Sequence, residues 1–144
     1  MAQLPNLTNT KAEVLVNVWG SKDILKDVGV SGYRQDLLGF TPQGQVGSDG
    51  KPTKQLFNIE ILGATHFDYM KRGASADPNY IPPGETKADR DWNVTVSQFV
   101  TDLLIASTSN GTLEAFLRRS PFVVPPANVD GTWIVQLPGW GTRQ

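Results

Sequence analysis

Two short apolar runs limit what this chain can become: "EVLVNVW" at residues 13–19 and "QLFNIEIL" at residues 55–62, each stopped by a glycine. Both are too short for buried helices and rich in β-branched residues, so both read as buried strands. More than thirty residues separate them. Strands joined by a helical crossover run parallel and put their carboxyl ends on one side. The residues after the first run, 21–26, are helix-tolerant, with Ser21 placed to cap and Asp23 in a first turn. Ser31 to Leu38 reads as a further short helix, and residues 39–53, with Pro42, Gly44, Gly47, Gly50 and Pro52, as loop with a tight turn at "SDGK".

The second run leads straight into Gly-Ala-Thr-His, which carries the single histidine of the chain, His66. Residues 70–89, with Pro78, Pro82, Pro83 and Gly84, read as an irregular excursion. The clearest helix runs from about Trp92 to Ala106. There Trp92, Val96, Phe99, Val100, Leu103 and Leu104 recur at helical spacing, and the stripe containing Phe99, Leu103 and Leu104 is expected to pack in the core. A shorter helix, Leu113 to Arg119, ends in two arginines and is stopped by Pro121. The order of strands and helices gives an α/β fold class. The division expected is residues 1–120 as one partial domain and residues 121–144 as a Pro-rich linker or arm toward another module. In that arm "TWIVQL" has no evident strand partner, and Trp133 and Trp140 are expected to cover the apolar surface of a neighbouring module.

Composition narrows the chemistry. Thirteen basic and 14 acidic residues leave a net charge of −1 without long runs of either sign, so nucleic acid is not an expected partner. Cysteine is absent, which removes disulfides and thiolate ligands. One histidine without clustered carboxylates gives no metal site, and no cofactor is expected. No stretch is apolar for long enough to span a membrane. The compartment stays open. The sequons at Asn6, Asn93 and Asn110 carry no weight without knowledge of the source.

If the two strands are parallel, their carboxyl ends share one rim, and Asp23 and His66 both lie there. A carboxylate that accepts the Nδ1 proton of an imidazole is the acid–base half of a Ser-His-acid triad. Asp27, Asp36 and Asp68 are other candidates for the acid, and Tyr69 and Met70 could line a pocket beside the histidine. A partly buried histidine hydrogen-bonded at a strand end, and a carboxylate at a helix N-terminus, are the plain structural readings of the same two residues.

At these positions the sequence resembles the α/β-hydrolase family. "VLVNVWGSKD" is similar to that family's strand, glycine and acid-bearing turn; "FNIEILGATHFDY" to its last strand and histidine loop; "WNVTVSQFVTDLLIAS" to its closing helix. The resemblance covers roughly residues 12–107. It implies the C-terminal part of a parallel sheet with packing helices, Asp23 as triad acid and His66 as general base. The interval between these two residues is long for the family, and the Gly/Pro-rich loop at 39–53 is the expected insertion. The family's G-x-S-x-G nucleophile elbow has no counterpart here. "VGVSG" around Ser31 and "WGSKD" around Ser21 have the wrong spacing. The resemblance therefore implies a fragment of a serine hydrolase acting on an ester, thioester or lipid-like acyl bond, inactive alone. Its partner would be the missing N-terminal portion, and its exposed sheet edge would favour homo-oligomers or aggregation. The alternative is a noncatalytic interaction or structural module of a larger assembly.

Overall fold

A computed structural model describes residues 14–23, 41–42, 55–66, 68, 81, 83–127 and 131–143. The chain forms β1 (Val14–Gly20), β2 (Thr41–Pro42), β3 (Gln55–Ile61), α1 (Lys87–Ala106), α2 (Asn110–Arg119), β4 (Val123–Val124), β5 (Thr132–Val135) and a 3₁₀ turn at Trp140–Thr142. The expected helices at 21–26 and 31–38, the turn at "SDGK" and most of the 39–53 loop lie largely outside the described residues.

The α/β class holds. β1 and β3 pair in parallel from Val14↔Gln55 to Gly20↔Ile61, and β3 pairs in parallel with β5 from Asn58↔Thr132 to Ile61↔Val135. β2 adds a two-residue parallel bridge to β3, and β4 runs antiparallel to β5, giving the order β1-β3-β5-β4. The sheet is therefore mixed rather than wholly parallel. The cause is chain length: the connection 125–131 is too short for the crossover that a parallel pair requires. Between β3 and β5 the chain does have room, and it uses it for α1 and α2.

Alternation along the strands decides which face meets the helices. Phe57, Ile59 and Ile61 of β3, with Trp133 and Val135 of β5, share one buried cluster with Trp92, Val96, Phe99 and Leu103 of α1 and Leu113 and Leu117 of α2. Val14, Val16 and Val18 of β1 pack against the same cluster. The opposite face carries a cross-strand pair, Asn17 Nδ2 donating to Asn58 Oδ1 at 3.1 Å, followed by Trp19 Nε1 donating to Glu60 Oε2 at 3.1 Å. In each pair the register puts the two residues side by side.

Three expectations change. Leu104 does not join the core: it is 67% exposed, because it lies a further 100° round the helix from buried Leu103. α1 begins five residues before Trp92, within the expected excursion, because Thr86 and Asp89 form a reciprocal capping box. Those hydrogen bonds from the Thr86 backbone, and then the Arg143 guanidinium, hold the Asp89 carboxyl at about 2. α2 likewise starts at Asn110 because the Ser109 side chain accepts from the Thr112 N–H.

The largest correction concerns the tail. "TWIVQL" is not an unpartnered strand on an arm; it supplies β5, inside the sheet between β3 and β4. Trp133 and Val135 are fully buried and Leu137 is 2% exposed, while Trp140 packs against the same core. Each such side chain contributes about 1.5–3 kcal/mol. The tryptophans thus cover apolar surface of their own chain. The sequence offered no partner for β5 because one neighbour, β3, lies far away along the chain and the other, β4, is only two residues long.

Candidate functional site

The carboxyl ends of β1, β3 and β5 lie on one rim, and the loops leaving β1 and β3 are laced together. Ser21 N–H donates to the Ile61 carbonyl at 3.0 Å, and Lys22 N–H to the Ala64 carbonyl at 2.9 Å. In return the Gly63 N–H donates to Ser21 Oγ at 2.7 Å. Ser21 is engaged in holding the histidine loop. A tight turn from Gly20, closed by Asp23 N–H on the Gly20 carbonyl at 3.0 Å, then points the chain back toward that loop. Gly63, at φ +80°, begins the histidine loop in a conformation that favours glycine, hard against Arg143.

These contacts bring Asp23 and His66 together. His66 Nδ1 lies 2.9 Å from Asp23 Oδ2, with the carboxylate 3% and the imidazole 25% exposed. An ionised carboxylate only accepts, so Nδ1 carries the proton and donates it. In the neutral ring that leaves Nε2 as the proton acceptor, the arrangement a general base requires. Of the other acids considered, Asp68 turns away: its Oδ2 accepts from Thr65 N–H at 2.7 Å and from Trp92 Nε1 at 3.0 Å. Asp27 and Asp36 lie outside the described residues, as do Ser31, Tyr69 and Met70.

Beside the pair, on the side of α1, a cavity of ≈250 Å³ opens between the two loops, the start of α1 and Arg143. Lys22, Thr65, Asp68, Glu85 and Asn93 contribute to its walls. Arg143 Nη1 donates to Asp89 Oδ1 at 2.6 Å, tying the C-terminal segment to the first turn of α1. Sequence reasoning did not find this cavity. Asp68 entered only as an alternative acid, and Asn93 only as a sequon; nothing in their spacing shows that one buried wall holds both. Among the described residues no group of three or more histidines or carboxylates is placed to hold a metal ion, and no helix is long and apolar enough to cross a membrane.

With this geometry in hand, comparison with known proteins gives no assignment: no protein-family model, curated protein or solved structure matches the chain.

Proposed function

We propose that Asp23 and His66 are the acid and general base of a Ser-His-Asp triad, and that the chain is the C-terminal portion of an α/β-hydrolase-type serine hydrolase acting on an ester, thioester or lipid-like acyl bond. The observation that carries the reading is the 2.9 Å contact between His66 Nδ1 and a carboxylate that is almost wholly buried, at the carboxyl rim of adjacent parallel strands. Burial strengthens the electrostatic support a carboxylate gives to a protonated ring. In the reaction Nε2 takes the proton of a serine hydroxyl as its oxygen attacks the acyl carbon, and the imidazolium then gives that proton to the leaving group.

The nucleophile and the oxyanion donors belong, in this reading, to polypeptide beyond these 144 residues. β1 stands at the end of the strand order, and among the described residues no strand lies on its far side. A nucleophile-bearing strand added there would stand next to the acid-bearing turn. Alone, an acid and a base carry out no acyl transfer.

The lack of a G-x-S-x-G elbow in the sequence favours a second reading, a noncatalytic module in which the buried pair only fixes the histidine loop. One experiment separates the two. The coding sequence upstream of Met1 is read for a strand, a G-x-S-x-G turn and a helix, and the protein encoded from there is treated with a fluorophosphonate probe. Covalent labelling of that serine, lost on heat denaturation, is expected; an upstream sequence without an elbow, or an unlabelled folded protein, overturns the hydrolase proposal.

A further inference from the structure

The cavity beside the histidine loop holds two polar side chains that its own walls do not satisfy. Asp68 is 6% exposed, and both of its hydrogen bonds, from Thr65 N–H and Trp92 Nε1, fall on Oδ2. Among the described residues Oδ1 has no hydrogen-bond partner. Asn93 is 3% exposed, lines the same cavity, and its amide has no hydrogen-bond partner among the described residues. Asp68 Oδ1 and the Asn93 side-chain carbonyl are thus acceptors left open on one wall, and a ligand that presents N–H groups satisfies both. Two basic residues line the same cavity. Arg143 is committed to Asp89, and Lys22 is an exposed side chain without an ion pair among the described residues.

We infer that this cavity binds a small organic cation, an ammonium or guanidinium group, whose N–H groups reach Asp68 Oδ1 and the Asn93 side-chain carbonyl. The carboxylate of Glu85 on the same wall adds negative potential. Two features favour such a group over a metal ion. Among the described residues no three carboxylates are placed to hold a metal ion together, whereas a planar or tetrahedral N–H donor is satisfied by two or three acceptors. A volume of ≈250 Å³ also leaves room for an organic substituent. The site stands on Asp68 and Asn93 rather than on the Asp23–His66 pair, so it holds whether or not the chain belongs to a hydrolase.

The Trp92 indole N–H donates to the carboxylate in question and reports on it directly. Methylguanidinium and methylammonium are titrated into the ¹⁵N-labelled full chain at constant ionic strength, with acetate, tetramethylammonium and ethylene glycol as controls, while the Trp92 Nε1–H resonance is followed. A saturable shift with a guanidinium or ammonium probe is expected, absent with the controls. Asn93→Ala, which keeps the Trp92–Asp68 bond, is expected to weaken binding at least tenfold, and Asp68→Asn to abolish it. If Asp68→Asn does not fold, Asn93→Ala alone decides. No saturable shift with either cation, an equal shift with ethylene glycol or tetramethylammonium, or unchanged binding in Asn93→Ala overturns the inference.

Discussion

Asp23→Asn, placed in the polypeptide that carries the nucleophile, is expected to lower kcat for ester hydrolysis by about 10⁴-fold with KM little changed. The effect is large because the substitution acts through proton position. The Asp23 carboxylate accepts from Nδ1 at 2.9 Å and, in the neutral ring, leaves Nε2 as the acceptor. An amide in its place can present an N–H to the ring, which moves the ring proton to Nε2 and leaves no base facing the serine. It also removes the negative charge that stabilises the imidazolium. His66→Ala deletes the base and is expected to give a loss of similar size. Steady-state kinetics on folded variants, with folding checked by circular dichroism, distinguish this from a structural role. A pair that only anchors the loop would show reduced stability with near-native turnover in the folded fraction, and that result would reject the triad.

Gly20→Ala is expected to be among the most destabilising single substitutions in the chain, about 3 kcal/mol. A Cβ at residue 20 would lie 2.1 Å from the Ala64 carbonyl oxygen and 2.4 Å from its carbonyl carbon. Those are backbone atoms of the histidine loop after β3 and cannot rotate away. The two loops must separate, and the hydrogen bond from Lys22 N–H to the same Ala64 oxygen is lost with the displacement. Asp23 and His66 ride on these loops, so the variant is expected to lose the carboxylate–imidazole contact as well as stability. Chemical denaturation measures the first and the His66 ring resonances the second. A variant with the midpoint of the parent would mean that the loops do not approach as closely as described.

How much of this was legible beforehand differs from one element to the next. β1 and β3 announce themselves because valine and isoleucine fill short runs closed by glycine. Their parallel pairing places Asp23 and His66 on one rim, and the contact between them follows the sequence reading. α1 was visible from its apolar stripe, but its first turn was not, since the Thr86–Asp89 box lies in a segment dominated by proline and glycine. β5 was seen as a strand without a place, because its parallel neighbour is far along the chain and its near neighbour, β4, is too short to read as a strand. The lacing of the two loops through Ser21 and Gly63 was hidden for the same reason. Asn93 escaped notice because helical periodicity registers apolar positions, and a polar side chain on a buried wall interrupts the pattern without explaining itself.

The hydrolase proposal rests on the proton position within the Asp23–His66 pair, and nitrogen NMR of the one imidazole in the chain observes it directly. In long-range ¹H–¹⁵N spectra recorded above the pH at which the ring protonates, the parent protein is expected to show Nδ1 protonated and Nε2 bare, with a downfield Nδ1 proton that disappears in Asp23→Asn. A ring protonated on Nε2, or a spectrum unaltered by Asp23→Asn, would contradict the account.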